Sequence, residues 1–143
     1  GRAFQCCKNL TSINFPKSIS AIGSAAFDSC EKLSYIEIPK EAQSVSIGEG
    51  AFYNCVSLDS ISIPNVWGIG KLAFNQCIHL KKVRFWGEIK YDISDSFQGC
   101  IELADVFCYD KKDWYHMIPI IDNTIYDKSE ECLELEVIKV YGE

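Results

Sequence analysis

One motif recurs along most of this chain and constrains its fold more than any other feature. In its clearest copy, Gly50 to Pro64, it reads Gly-Ala-Phe-Tyr-Asn-Cys-Val-Ser-Leu-Asp-Ser-Ile-Ser-Ile-Pro. Its cysteine recurs at separations of 23, 25, 22 and 23 residues, as Cys7, Cys30, Cys55, Cys77 and Cys100. In every copy a leucine follows this cysteine by three residues, and apolar residues follow it by six and eight. A repeat of this length predicts a solenoid, in which each unit buries its apolar side against the next.

The second half of each unit predicts a short strand. The last three positions, Ile61 to Ile63, alternate between apolar and polar, so we expect Ile61 and Ile63, together with Leu58, to point inward. Pro64 ends this strand because proline lacks the amide that a ladder needs. Stacked units would then place their strands side by side in a parallel sheet. The stretches 19–23, 45–48 and 66–70 predict a second extended edge.

The Ala-Phe-x-x-Cys part of each unit predicts one helical or 3₁₀ turn whose phenylalanine fills the interior. Gly23, Gly48 and Gly70 precede these turns, where either a positive φ or a close approach of two backbones would require glycine. Because the turns are bulkier than the strands, we expect the solenoid to curve, with the parallel sheet on its concave face.

Charge and hydropathy exclude several classes of function. The net charge is −6, and residues 109–143 carry nine acids and four bases, so −5 of it belongs to the end of the chain. This acidic chain is a poor candidate for binding nucleic acid. No apolar run is long enough to cross a membrane. The sequence starts in the middle of a unit at Gly1, and we therefore expect it to be a piece of a longer protein.

Eight cysteines raise the question of disulfides. The five at the repeated position would point in the same direction rather than at each other, so we expect a column of buried thiols that behave as small apolar residues. Cys108 stands in place of an inward isoleucine and should also be buried. No partner is evident for Cys6 or Cys132.

The sequence gives little support for metal binding or catalysis. The chain has no Cys-x-x-Cys pair, and its two histidines, His79 and His116, lie in different segments, so we expect no metal and no cofactor. A catalytic pair of Cys132 and His116 would lack a third, orienting residue. We therefore expect no catalytic residue.

The residues between the inward positions should form an exposed sheet face. In chain order they are Thr11, Ser12 and Asn14; Ser34, Tyr35 and Glu37; Asp59, Ser60 and Ser62; Lys81, Lys82 and Arg84; and Ala104, Asp105 and Phe107. This mixture of acidic, basic and aromatic groups is typical of interface hot spots. The candidate ligand-binding residues are Tyr35, Glu37, Asp59, Lys81, Lys82, Arg84 and Phe107. In the alternative interpretation, the cations are simply solvated or paired with Asp59 or Asp105.

After Tyr109 the period is lost. Asp110 and Asp113 can cap a short helix that Pro119 ends, and residues 133–140 alternate as a final strand with an acidic outer face. Residues 110–143 would thus form a cap over the last unit.

The pattern Ile-Gly-x-x-Ala-Phe-x-x-Cys-x-x-Leu-x-x-Ile-x-Ile-Pro resembles the BspA-like, or Treponema-type, leucine-rich repeat family. Residues 47–64 match it nearly letter for letter, and the resemblance extends from Ala3 to Tyr109. It fades in the fifth copy, where Ser96 precedes Phe97 and Cys108 replaces isoleucine. The resemblance implies a right-handed leucine-rich-repeat superhelix from a bacterial or protist surface protein, without enzymatic activity.

These observations predict one α/β solenoid domain over residues 1–143, with about five repeats of 22–25 residues up to residue 109. The expected function is a cell-surface or secreted adhesion module that binds a protein ligand, such as a host extracellular protein. The alternative is a structural spacer in a multidomain surface protein. An enzyme that uses Cys132 or His116 ranks far behind both, and the oligomeric state stays open.

Overall fold

The computed structural model describes residues 1–85, 94–103, 105–108 and 137–139. We call the units that contain Cys7, Cys30, Cys55, Cys77 and Cys100 coils 1 to 5. The strands in chain order are β1 (Ser12–Asn14), β2 (Ala21–Ile22), β3 (Tyr35–Glu37), β4 (Val45–Ile47), β5 (Ser60–Ile63), β6 (Val66–Ile69), β7 (Lys82–Phe85), β8 (Asp105–Cys108) and β9 (Val137–Lys139).

The strand that follows each cysteine forms the predicted parallel sheet. β1 pairs with β3, and β5, β7 and β8 pair in succession, all in parallel. Equivalent residues stand opposite one another, as Ile61, Val83 and Val106 do. β3 also lies against β5, although these two strands belong to separate ladders. The strands of successive coils therefore stack in register, with one interruption.

The second extended edge is also present. β2, β4 and β6 form a parallel sheet in which Ile22, Ile47 and Ile69 align. The register shifts between Val45 and Ser46, and the extra residue on β6 is Trp67. Such a bulge turns a side chain outward, and the Trp67 side chain is exposed.

The Ala-Phe-x-x-Cys segments form hydrogen-bonded turns, so the prediction of helical or 3₁₀ turns there is wrong. Their amides alternate between two kinds of partner: the Phe27 amide donates to the Ala51 carbonyl of the next coil at 2.8 Å, whereas the Asp28 amide donates within its own turn to Ala25. A helix needs consecutive amides to bond within one segment, and here every second amide joins two coils. The positive φ angles of Ala25 (52°) and Ser29 (59°) also interrupt helical geometry. Within the described ranges, the only helix is the 3₁₀ helix Ser94–Ser96.

The core consists of columns of identical residues, as predicted. Leu33, Leu58 and Leu80 are fully buried. The phenylalanines of the turns stack with centroids 5.2–5.4 Å apart and planes within 10° of parallel, in the order Phe4, Phe27, Phe52, Phe74 and Phe97. Each ring therefore covers the ring of the neighbouring coil, which no coil could do alone.

The glycines before the turns allow a close approach of two backbones. A Cβ atom on Gly48 would lie 2.5 Å from the Ser24 nitrogen, and one on Gly70 would lie 2.5 Å from the Glu49 nitrogen. Of the two explanations that the sequence left open, close approach therefore applies to these positions. Positive φ occurs instead at Gly50, at 60°.

The closing segment is described only in part. β9 pairs with β8 in antiparallel orientation, with Asp105 opposite Lys139, so three residues of the predicted final strand do form a strand. The predicted helix before Pro119 and the rest of the predicted cap lie outside the described residues. No helix in the described part of the chain is long and apolar enough to span a membrane.

Candidate functional site

The exposed sheet face arises from the alternation of side chains along each strand. In β3 the Ile36 side chain is buried, whereas Tyr35 and Glu37 on either side of it are exposed. In β5 the same alternation buries Ile61 and leaves Ser60 exposed. The outward positions predicted from the sequence therefore lie on one face wherever these side chains are described.

Tyr35 and Glu37 form one element of this face. The Tyr35 hydroxyl donates a hydrogen bond to the Glu37 Oε2 atom at 3.0 Å, and 53% of the Tyr35 side chain is exposed. This hydrogen bond, together with the negative charge of Glu37, raises the pKa of Tyr35 above its ordinary value. The pair thus presents a neutral aromatic ring beside a carboxylate, a combination that suits a cation.

Lys81 pairs with Asp59 on the neighbouring coil. Their Nζ and Oδ1 atoms are 3.5 Å apart, and both side chains are about three-fifths exposed. The pairing of Lys81 with Asp59 is thus present, and such an exposed pair contributes at most about 1 kcal/mol. Lys82 and Arg84 differ from Lys81, since both are half-buried. In the register of β5 and β7 they stand opposite Ser60 and Ser62.

These residues enclose a depression of about 700 Å³, which we call the basic depression. Its lining consists of Asp59, Ser60, Ile61, Ser62, Lys81, Lys82, Arg84 and Glu102. Short serine side chains beside long cationic ones produce the hollow. The structure therefore brings four of the predicted site residues together, whereas Tyr35 and Glu37 lie outside this lining.

Glu102 was not among the predicted site residues. It comes from the turn of coil 5, where its Oε1 atom lies 3.3 Å from the Nδ1 atom of His79. The repeat pattern offered no signal for it, because residue 102 precedes the strand positions that the alternation marks as outward.

A second, smaller cleft adjoins the basic depression. It has a volume of about 310 Å³ and is lined by Ile38, Lys40, Ser62, Pro64 and Asn65. We call it the apolar cleft, and Ser62 belongs to both hollows. It opens where the ladder between β3 and β5 is interrupted, beside the longest spacing between cysteines, 25 residues. That spacing was the one signal in the sequence that could have indicated it.

Phe107 and Asp105 lie on β8, where the register places them opposite Arg84 and Lys82. Their backbone positions agree with the predicted outward set, and their side chains lie outside the described structure. The predictions of pairing between Asp105 and the cations and of a ligand-binding role for Phe107 therefore stay predictions.

The repeated cysteines form the predicted buried column in coils 2 to 5. The thiols of Cys30, Cys55, Cys77 and Cys100 each donate to a phenylalanine carbonyl of the preceding coil, at 3.0–3.2 Å. Burial raises the pKa of Cys55 and of Cys100 to about 12. These thiols are therefore protonated at neutral pH and poor nucleophiles.

Cys7 is exposed, so the prediction of burial at the repeated position is wrong for coil 1. Cys7 has no carbonyl of an earlier coil above it in this chain, and Cys6 beside it is exposed as well. The side chain of Cys108 and the whole of the Cys132 and His116 pair lie outside the described residues. Among the residues that are described, no group of three or more His, Cys, Asp or Glu could hold a metal ion.

Two solved structures are similar to this chain. The chain is similar to a leucine rich cell surface protein from Faecalibacterium prausnitzii A2-165, with 22% identity and a TM-score of 0.53 over 77% of this chain and 35% of that one. It is also similar to the T. pallidum leucine rich repeat protein, with 27% identity and a TM-score of 0.48 over 73% of this chain and 59% of that one. The chain thus spans about three-fifths or less of either protein. No curated protein shows significant similarity to the sequence.

The repeat itself decides the family. Residues 1–113 match the BspA type leucine rich repeat region in six copies, one more than the number of units marked by the repeated cysteine. The match covers the stacked turns of coils 1 to 5 and the strands β1 to β8. This chain therefore belongs to the BspA type leucine-rich repeat family.

Proposed function

We propose that this chain is a non-enzymatic protein-binding module of a cell-surface or secreted protein, and that the exposed sheet face contacts the partner. One observation carries the proposal: inward positions repeat from coil to coil, whereas outward positions differ at each coil. Leu33, Leu58 and Leu80 are identical, while the outward residues of β3, β5 and β7 change from Tyr and Glu to serines and then to Lys and Arg. A scaffold that holds different side chains at fixed spacing suits recognition of a protein surface.

The scaffold also suits binding energetically. Each outward side chain lies on a strand whose inward residues are buried in continuous columns. The backbone is therefore already ordered, and binding a partner costs little further conformational entropy. A right-handed superhelix with this face on its concave side would bring several coils to the partner together. The cell-surface location of the F. prausnitzii protein supports the same location here.

The test compares two exposed tyrosines on opposite sides of the coils. Tyr35 lies on the sheet face, and Tyr53, 38% exposed, lies on the turns. The immobilised chain is presented with a panel of purified extracellular proteins. A panel protein that binds should lose roughly tenfold in affinity for Tyr35→Ala and almost nothing for Tyr53→Ala, because aromatic residues at the centre of an interface dominate its energy.

Two results would count against the proposal. Equal effects of the two substitutions would place the binding surface elsewhere. A chain that binds no panel protein would favour the alternative role of a structural spacer, which needs only the stacked coils and no exposed recognition face.

A further inference from the structure

We infer that the sheet face recognises a protein segment in which an apolar side chain is followed by carboxylates. The apolar side chain enters the apolar cleft, and the carboxylates contact Lys82 and Arg84 in the basic depression. This inference rests on the protein-binding function proposed above and names the chemistry of the partner.

The charges of the basic depression favour an acidic partner. The basic depression is lined by three cations, Lys81, Lys82 and Arg84, and two acids. Each acid already lies beside a basic group, since Asp59 pairs with Lys81 at 3.5 Å and Glu102 with His79 at 3.3 Å. Lys82 and Arg84 lie on β7, and Lys81 directly precedes this strand. The lining of the basic depression therefore has an excess of cations over acids, which attracts an acidic partner.

The hydrogen-bond donors of β5 and β7 suit carboxylates. Ser60 stands opposite Lys82 and Ser62 opposite Arg84, so the cations rise beside small hydroxyl groups on the adjacent strand. A guanidinium carries five N–H donors, and a contact within the protein leaves others for a ligand. Carboxylates accept hydrogen bonds from guanidinium, ammonium and hydroxyl groups alike, and the basic depression offers all three kinds of donor.

The basic depression and the apolar cleft share a wall. The apolar cleft of about 310 Å³ has Ile38 and Pro64 in its lining beside Lys40 and Asn65, and it shares Ser62 with the basic depression. One short extended segment can therefore reach both. An apolar contact adds affinity that does not depend on salt, whereas a purely anionic chain would leave this cleft empty.

The Tyr35 and Glu37 pair fixes the direction of the segment. Glu37 is an exposed carboxylate on β3, and the apolar cleft has one lining cation, Lys40, against three in the basic depression, so acids are attracted more strongly to the side of β7. The acidic part of the segment accordingly lies over β7, and its apolar residue lies nearer β3. A sulfated polysaccharide would match the cations but not the apolar cleft.

The probes are three fluorescent synthetic peptides and one heparin oligosaccharide. The first peptide carries a leucine followed by glutamates, the second has serine in place of the leucine, and the third has lysines in place of the glutamates. We expect the first peptide to bind more tightly than either of the others by roughly tenfold in fluorescence polarisation, with affinity that falls as salt rises.

Two double variants with the same loss of charge test the location. Lys82→Gln with Arg84→Gln removes one lysine and one arginine from the basic depression. Arg2→Gln with Lys71→Gln removes the same two residue types from exposed positions on the turns. The first variant should weaken binding of the leucine–glutamate peptide by roughly tenfold, and the second should leave it unchanged. Unchanged melting temperatures of both variants would show that the fold is intact.

Three results would overturn the inference: no binding of the leucine–glutamate peptide, equal losses in the two double variants, or binding of heparin without binding of the peptide. These results are distinct from failure of the protein-binding proposal. Suppose that a panel protein loses affinity for Tyr35→Ala but keeps its affinity for the variant with Lys82→Gln and Arg84→Gln. The protein-binding function would then be supported, and recognition of an acidic segment would be wrong.

Discussion

The thiol of Cys77 donates a hydrogen bond to the carbonyl of Phe52 at 3.1 Å, in the fully buried interior between coils 3 and 4. The same contact recurs at each described interface between coils, so cysteine links the turn of one coil to the phenylalanine of the coil before it. The repeated cysteine therefore has a structural role that neither a disulfide nor a metal would explain.

Thiol reactivity should divide the cysteines into two classes. We expect iodoacetamide to modify Cys6 and Cys7 in the native chain at neutral pH and to leave Cys30, Cys55, Cys77 and Cys100 unmodified, because the latter are buried and protonated. Peptide mapping by mass spectrometry after native and denatured labelling measures this. Rapid native labelling of Cys55 would contradict the buried column.

The buried thiols should also make stability depend on alkaline pH. Cys55 has a pKa of about 12 in the folded chain against 9.0 ordinarily, so the unfolded chain loses this proton first as pH rises. The contribution is constant below about pH 9 and is lost progressively between about pH 9 and 12. The loss approaches about 1.4 kcal/mol per pH unit for one thiol.

The free energy of unfolding, measured in urea along a pH series, should therefore fall more steeply for the native chain than for Cys55→Ala. Comparison of the two chains cancels the titration of lysines and tyrosines, which both chains share. Parallel curves for the two chains would show that Cys55 is not buried as a thiol.

The stacked phenylalanines should dominate stability. Phe52 lies between Phe27 and Phe74 with centroid distances of 5.3 and 5.4 Å, and its side chain is fully buried. Phe52→Ala should cost about 3–5 kcal/mol in urea unfolding, because it leaves a void in the middle of the column. The adjacent and exposed Tyr53 supplies the control, since Tyr53→Ala should cost less than about 1 kcal/mol. Similar losses in the free energy of unfolding for the two variants would show that Phe52 does not lie in a buried column.

Two neighbouring glycines should respond differently to alanine. A Cβ atom on Gly48 would meet the backbone of Ser24 at 2.5 Å, and backbone atoms cannot move aside easily. Gly48→Ala should therefore cost about 3 kcal/mol or more. At Gly50 the nearest atom to a new Cβ is 3.9 Å away, and only the positive φ of 60° opposes it, so Gly50→Ala should cost about 1 kcal/mol. Thermal unfolding of both variants checks the order, and the reverse order would show that backbone approach is not what requires glycine.

The pair of Asp59 and Lys81 should contribute little. A double-mutant cycle with Asp59→Asn and Lys81→Gln should give a coupling energy of about 0.2–1 kcal/mol that decreases with salt, because both side chains are largely exposed. A coupling well above this range would mean that the pair is part of the framework rather than of the surface.

The columns could be predicted from the sequence because a repeat states the same inward positions several times. Leu33, Leu58 and Leu80 follow a cysteine by the same three residues, and a solenoid can satisfy that only by stacking them. The turns could not be predicted in this way, since Ala-Phe-x-x-Cys also has the spacing of a helical turn. The turns differ from a helix in two respects. Their amides bond alternately to the next coil and within the same turn, and residues other than glycine, such as Ala25, have positive φ.

The candidate site was predictable only as a face. Alternation identified Lys82 and Arg84 as outward, but the basic depression depends on the lengths of their neighbours Ser60 and Ser62 on another strand. The apolar cleft depends on an interrupted ladder between β3 and β5, and such an interruption follows from packing between coils rather than from a local pattern.

The hydrogen bonds between coils have a mechanical consequence. In the parallel strand pairs and in the turns, the described hydrogen bonds run from one coil to the next, along the direction of stacking. Tension applied to the two ends of the stack therefore opens them one coil after another, as a zipper opens, whereas a force across the stack must shear a whole ladder at once. Such a molecule yields gradually when stretched lengthwise and resists sideways load, because each coil holds only its immediate neighbours.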